Sequence, residues 1–350
     1  MKKVCFFLPG SFGGAEKIAI TIAKTLPLDQ FRVKFFLLCD HIDNIIDYIP
    51  SQYEVEHIRI RNIWDFAIFK IAIRVKKEKP HAVYGTMCYL NPHVILGTRL
   101  VDRNVKIVVR NDNYVGYFGF VEQIMLRLTY PMASIIIAQQ EEMKQDIVDN
   151  LHVSQQLVSV LYNPLEKEHI TACSKVPSPY ANCDDVKFVN VGRVHPDKGQ
   201  DILLKAFTLL HEKIPHSSLY IVGRYNIEDS YYIELKSYLS LHNLNNCVHF
   251  IGFDNNPYKW VKHANCFILS SRREGLPNAL LEAMYLGTPV VSTKCIPIIE
   301  RIVNDGYNGF LTDVNDTASM AEAMYRACHL KKVEMTFTSA SKQSFINLFV

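Results

Sequence analysis

Phe267-Ile-Leu-Ser-Ser-Arg-Arg-Glu-Gly-Leu-Pro-Asn-Ala-Leu-Leu-Glu-Ala-Met-Tyr-Leu-Gly-Thr-Pro289 reads as a strand, a polar loop and a helix in succession. The short apolar run at its start suits a buried strand. Pro277-Asn278 opens the helix, Gly287 closes it, and Pro289 stops its continuation. The loop and helix N-terminus then lie at a strand's carboxyl end, where exposed N–H groups and the helix dipole favour an anion. Glu274 sits in the loop, and Glu282 is the only charge in Ala279–Leu286. A carboxylate on a buried helix is costly unless donors satisfy it. Two vicinal ribose hydroxyls would do so, as would a neighbouring Arg or Lys.

Outward from this unit the same alternation recurs. Strands are predicted at Lys187–Val191, Ser218–Val222, Val248–Ile251 and Val290–Ser292, with helices at Asp201–Leu210, Ser230–Leu241 and Asn256–Lys262. The first half predicts strands at Val4–Leu8, Val33–Leu38, Val55–Ile60, Ala82–Gly85, Lys106–Val109 and Ser134–Ala138, with a helix at Gly14–Leu26. Alternating strands and helices imply right-handed crossovers and parallel sheets covered on both faces. The units are too many for one ordinary sheet, and 350 residues suit two domains. We therefore expect an α/β chain of two doubly wound Rossmann-like domains, 1–165 and 186–330, facing a central cleft. The proline-bearing stretch 166–185 is expected to link them, and the tail 331–350 to pack on the first.

Composition narrows the classes. The chain is 49% hydrophobic and 21% charged, which excludes extended disorder. Its 38 basic and 35 acidic residues leave a net charge of +3, too balanced for a nucleic-acid binder. Nine scattered cysteines, without a Cys-x-x-Cys pair, suggest a reducing compartment and no zinc site. The apolar run Val4–Leu8 breaks at Pro9-Gly10, too soon for a secretory signal. No stretch reaches the ~18–20 apolar residues of a membrane span. A cytoplasmic protein is expected.

Val189-Asn-Val-Gly-Arg-Val-His-Pro-Asp-Lys-Gly-Gln-Asp201 supplies a second constellation. Arg193 and Lys198 follow a strand end and precede a helix, where a planar fork and a point charge can clamp a diphosphate.

Together these residues resemble glycosyltransferase family 4. The likeness rests on Gly192-Arg193 with Lys198-Gly199, on Glu274-Gly-Leu-Pro-Asn-Ala-Leu-Leu-Glu282, and on Gly287-Thr-Pro-Val-Val-Ser292. Asp305-Gly-Tyr-Asn-Gly-Phe310 and Gly13-Gly14-Ala15-Glu16 extend it over most of the chain. The resemblance implies the GT-B fold and transfer with retention from a nucleotide-sugar, expected to be a UDP-sugar. It assigns Glu274 to the donor sugar, Glu282 to the ribose hydroxyls, and Arg193 and Lys198 to the departing diphosphate. Gly275, Leu276 and Asn278 join the donor-binding set, with Gly252 and Phe253 as candidates for the base. No Asp-x-Asp occurs among the 18 aspartates, so a metal-free site with no cofactor beyond the substrate is expected. The implied acceptor is an undecaprenyl-diphosphate-linked saccharide in bacterial O-antigen or capsule synthesis. The alternatives are a UDP-sugar 2-epimerase of the same fold and a non-catalytic nucleotide-sugar-binding subunit.

Two N-terminal features complete the reading. Gly13 and Gly14 open a helix after the first strand, allowing close backbone approach to substrate. Arg110-Asn111 follows a strand end where members of that family commonly carry a histidine, and both residues are assigned to substrate positioning. Finally, Arg59 to Lys79 carries seven basic and two acidic residues interleaved with Ile63, Trp64, Phe66, Phe69 and Ile73. This is either a core helix with a solvated end or a peripheral contact with anionic lipid on the inner face of the cell membrane.

Overall fold

Apolar runs too short for a helix pair as strands, and the segments of helical period between them cover the resulting sheets. A computed structural model describes residues 1–42, 44–62, 65–180, 184–332 and 340–350. Ile63, Trp64, residues 181–183 of the expected linker and 333–339 of the tail lie outside the described residues. The chain divides into two units, Met1–Pro164 with Ser339–Val350, and Leu165–Thr338.

The first unit contains β1 (Lys2–Pro9), α1 (Gly14–Thr25), β2 (Phe31–Cys39), β3 (Glu54–Arg59), α2 (Ala67–Glu78), β4 (Ala82–Thr86) and α3 (Asn91–Arg99). It continues through β5 (Lys106–Arg110), α4 (Phe120–Thr129), β6 (Ile135–Ala138), α5 (Glu141–Leu151) and β7 (Val158–Val160). Among the described residues its parallel sheet runs β3-β2-β1-β4-β5-β6-β7. Strand order reverses between β1 and β4, which makes their carboxyl ends a switch point where doubly wound sheets bind ligands.

The second unit contains α6 (Lys167–Ser174), β8 (Val186–Val191), α7 (Gln200–Lys213), β9 (Ser217–Val222), α8 (Ser230–Leu241), β10 (Val248–Gly252) and α9 (Tyr258–His263). Then come β11 (Cys266–Leu269), α10 (Asn278–Tyr285), β12 (Val290–Thr293), α11 (Pro297–Ile302), β13 (Gly309–Thr312) and α12 (Thr317–Ala327). Its parallel sheet runs β10-β9-β8-β11-β12-β13. The reversal here falls between β8 and β11, the two strands whose following loops carry Lys198 and Glu274.

The segment expected as a linker begins with structure of its own. Helix α6 packs on α9, and the Asn256 amide donates to the Cys173 carbonyl at 2.8 Å. At the other end, α13 (Lys342–Ile346) packs on α1 of the first unit. Phe345 and Phe349 are buried there with Phe6 and Tyr84, the Phe6 and Phe349 ring centroids lying 5.9 Å apart. Each such buried ring contributes about 1.5–3 kcal/mol of transfer free energy. Among the described residues no helix is long and apolar enough to cross a membrane.

Candidate active site

Two loops at the switch point of the second sheet are built against each other. After β8 the chain passes Arg193, makes a tight turn at Pro196–Lys198 and enters α7 through Gly199. Gly199 has φ +63°, and a Cβ there would stand 2.1 Å from the Ser270 carbonyl oxygen. Only glycine lets the two backbones approach this closely. The contact is then fastened. Ser270 Oγ donates to the Lys198 carbonyl at 2.9 Å, and the Arg272 amide donates to the Asp197 carbonyl at 2.7 Å. The Arg272 guanidinium forks onto Asp201 with both bonds at 2.7 Å and also donates to the Pro196 carbonyl at 2.9 Å. Tyr231 adds its hydroxyl to Asp201 at 2.7 Å. Arginine pairing holds the Asp201 carboxyl below the usual range despite its burial.

This brace presents a compact charged cluster. Lys198 Nζ donates to Glu274 Oε1 at 2.7 Å, and Ser271 Oγ donates to the same oxygen at 2.6 Å. Glu274 is 8% exposed while the Lys198 side chain is about one-third exposed. The desolvated carboxylate is therefore matched by an ammonium that still reaches solvent. Cys295 lies within this field. Its thiol is pushed up to about 12, by burial first and then by the negative charge of Glu274, with Lys198 opposing.

Arg193 is exposed on the same β8–α7 connection as Lys198, and its carbonyl accepts from the Gln200 amide at 3.1 Å. Glu282 is buried one turn into α10. Gly275 and Leu276 are buried, and Asn278 is half-buried at the start of that helix. Gly252 ends β10 and Phe253 follows it, two strands from β8. There the Arg224 guanidinium lies 4.8 Å from the Phe253 ring centroid. The structure thus joins Lys198 and Glu274 directly, where the sequence suggested separate tasks for the two.

In the first unit the strand ends behave differently from expectation. Gly13 caps α1 in extended conformation, and its missing side chain leaves room for Glu16, whose Oε2 would be 2.9 Å from a Cβ. Arg110 is buried and donates to Asn163 Oδ1 at 2.6 Å, its guanidinium held below the usual range by burial. Asn111 is fully buried. It accepts from Tyr130 at 2.8 Å and Cys88 at 2.9 Å, and donates to the Asn113 carbonyl at 2.5 Å. The side chains of Arg110 and Asn111, expected to position substrate, are thus engaged by protein partners inside the first unit. The end of β5 turns inward, and the amide of Asn111 holds neighbouring loops together.

Glu16 is the group that sequence reasoning quoted without giving it a role. Burial is the main cause raising its carboxyl from 4.5 to about 7; Asp112 adds to this, while backbone amides and Arg110 oppose it. A folded-state value above the unfolded one means stability present below pH 4.5 and lost as pH rises through about 7. At 1.36 kcal/mol per pH unit the loss is about 3 kcal/mol. Glu16→Gln is expected to flatten the urea-unfolding stability of the protein over that window relative to wild type. Parallel profiles would remove this role. Among the described residues no three His, Cys, Asp or Glu side chains gather as ligands for a metal ion.

Residues 177–344 match the family model described as Glycosyl transferases group 1. An uncharacterized glycosyltransferase of Methanocaldococcus jannaschii is 31% identical over 252 residues, which are 67% of this chain and 61% of that protein. A Campylobacter jejuni protein is 25% identical over 94% of this chain and 91% of its own length. It is named N-acetylgalactosamine-N,N'-diacetylbacillosaminyl-diphospho-undecaprenol 4-alpha-N-acetylgalactosaminyltransferase. Among solved structures, Anabaena HepE in complex with UDP and glucose superposes with a TM-score of 0.79. The two share 21% identity, with 94% of this chain and 92% of HepE covered. That likeness shows a fold of two Rossmann-like domains, the GT-B architecture.

Proposed function

We propose, from the premise that the chain is a glycosyltransferase of the GT-B fold, that it moves a sugar from a UDP-sugar to an undecaprenyl-diphosphate-linked saccharide in bacterial surface-polysaccharide synthesis. The observation that carries this reading is the Lys198–Glu274–Ser271 cluster at the β8/β11 switch point. A nucleotide diphosphate needs cations, and sugar hydroxyls need carboxylate acceptors. The brace supplies both within one hydrogen bond. The named activity of the Campylobacter relative, and the UDP and glucose held by HepE, support the choice of donor and acceptor classes.

In this reading the second unit holds the donor. Glu282 accepts from the ribose hydroxyls, Glu274 from the sugar, and Arg193 and Lys198 meet the charge that grows on the leaving diphosphate. Gly275, Leu276 and Asn278 at the start of α10 complete the donor-binding set. The first unit holds the acceptor near Gly13 and Gly14. Retention follows when the acceptor oxygen bonds to the anomeric carbon from the face that the diphosphate leaves. The carbon–oxygen bond to phosphate breaks, and a phosphate oxygen takes the hydroxyl proton.

Nucleotide sugars screened for protection against thermal unfolding test the donor. The right one at a hundredfold excess over Kd adds roughly 2.7 kcal/mol, whereas others leave the midpoint unchanged. Incubation with lipid-linked saccharide should then yield an elongated product whose new bond keeps the donor's anomeric configuration by NMR. Altered sugar formed from donor alone would identify an epimerase instead, and binding without turnover a non-catalytic subunit.

A further inference from the structure

A cavity of about 450 Å³ opens at the carboxyl ends of β1, β2, β3 and β4 in the first unit. Small-molecule sites span about 300–1,000 Å³, so it has room for a sugar ring but none for a polyprenyl chain. Leu38, Ile60 and Leu90 belong to the core beneath α2 and α3, and they give the cavity an apolar lining. Asp40 and Arg61 follow the ends of β2 and β3 and bring opposite charges to the same space. Arg59 donates to Asp40 at 2.8 Å and holds its carboxyl below the usual range. Asp40 is therefore an ionised acceptor, and Arg61 is an exposed donor. An apolar lining with a few placed polar groups suits an uncharged polar ligand. A diphosphate needs an excess of cations, which this lining lacks.

Tyr89, after β4, is the aromatic side chain of this cavity. It is 39% exposed, yet burial is the first cause raising its hydroxyl, followed by the charges of Glu16 and Asp112. Its ring is thus open to solvent while its phenolic end is enclosed near two carboxylates. Tyr89 stands between the cavity and the start of α1, where Glu16 lies. On that side Tyr84 and Thr86 are fully buried, and no group outside this pair satisfies their hydroxyls. Asp112 accepts from the Cys88 amide at 2.9 Å through one oxygen only. Carboxylate acceptors beside unspent hydroxyls complement the vicinal hydroxyls of a sugar. Two places for uncharged polar rings therefore adjoin, with one tyrosine between them.

We propose that the first unit reads its acceptor as at least a disaccharide, the outer sugar at Glu16 and Asp112 and the next sugar in the cavity against Tyr89. Tyr89 supplies a flat apolar face for that second ring, and Asp40 and Arg61 meet its hydroxyls. The carboxylates of Glu16, Asp112 and Asp40 keep the lipid diphosphate away from both places, so the saccharide must be long enough to clear them. The inference rests on the reading that the first unit holds the acceptor. It adds the length of the saccharide and three residues that select it.

Saturation-transfer NMR titrations of the full chain, without donor, are the test. The probes are methyl glycosides of hexoses and N-acetylhexosamines and the disaccharides built from them. At least one disaccharide is expected to bind about tenfold tighter than the glycoside of its outer sugar, with both rings saturated. Covering roughly 60 Å² of ring at about 25 cal/mol per Å² is worth that factor. Tyr89→Ala should cancel the gain and leave monosaccharide binding unchanged, whereas Tyr89→Phe should keep it. Arg61→Ala, at an exposed position, should weaken the disaccharide about fivefold. No disaccharide gain anywhere in the panel, or a gain that survives Tyr89→Ala, would overturn the proposal. Equal extension of lipid-linked mono- and disaccharides would overturn it too, and leave the transferase reading standing. A Tyr89-dependent gain in a protein that transfers no sugar would support the two-ring site and sink that reading instead.

Discussion

Lys198→Met is expected to lower kcat/KM for sugar transfer by about 10³-fold and to lower the thermal midpoint as well. The ammonium acts twice. It would meet developing charge on the diphosphate, where removal of one preorganised donor typically costs about 10²–10³-fold. It also holds Glu274, whose carboxylate is 8% exposed and bonded at 2.7 Å. Without Lys198 that carboxylate keeps the Ser271 hydroxyl at 2.6 Å but loses its cation, so one bond holds it where there were two. Lys198→Met/Glu274→Gln should be less impaired than the product of the single losses, because the second change removes the unpaired charge left by the first. The midpoint falls because the buried Glu274 carboxylate is left without its cation, and Lys198→Met/Glu274→Gln should recover part of that loss. A variant within tenfold of wild type would detach Lys198 from the chemistry.

What could be read in the chain, and what could not, divides by the range of the physics involved. Long apolar runs such as Val33–Leu38 are local signals, and β2 contains that run whole. Strand β7 carries three residues at a sheet edge, and β13 four at the other sheet's edge, so neither has enough periodicity to stand out. Helix α6 lay hidden in a stretch whose prolines suggested a linker; its stability comes from α9, eighty residues later. The charges Lys198 and Glu274 were legible because each sits at a strand end before a helix. Their mutual hydrogen bond was not, since it depends on Gly199 and Ser270 sharing a volume no side chain could enter. Arg272 and Asp201 look like two solvated charges in sequence, yet together they brace the loops. Asn111 shows the converse. Its place after a strand suggested a ligand contact, and only the positions of Cys88 and Tyr130 reveal that its amide is already committed.

The brace itself can be broken at one carbon. Gly199→Ala is expected to lower the unfolding midpoint by roughly 5–10 °C and to cost about 100-fold in kcat at a temperature where the variant is fully folded. Two penalties combine. The φ of +63° disfavours any L-residue by about 1 kcal/mol or more. The new methyl would stand 2.1 Å from the Ser270 carbonyl oxygen, a backbone atom that no rotamer change can move aside. Relief requires the β8–α7 turn and the β11–α10 loop to part by about 1 Å, with total cost in the range of about 2–4 kcal/mol. For a unit of this size each kcal/mol is worth about 2–4 °C. The displacement matters more for turnover than for folding. It would strain the 2.9 Å bond from Ser270 to Lys198 and the 2.7 Å bond from Arg272 to Asp197, and with them the placement of Lys198 against Glu274. Misplacement on that scale suffices for a loss of about two orders of magnitude. Gly306→Ala separates the two penalties. Its φ is +77°, but the nearest atom to a Cβ is Phe310 Cε1 at 4.0 Å, so only the backbone cost applies. That variant should lose about 1 kcal/mol and keep full turnover. If both alanine variants melt together and turn over alike, the close approach at Gly199 does not set the geometry of the cluster.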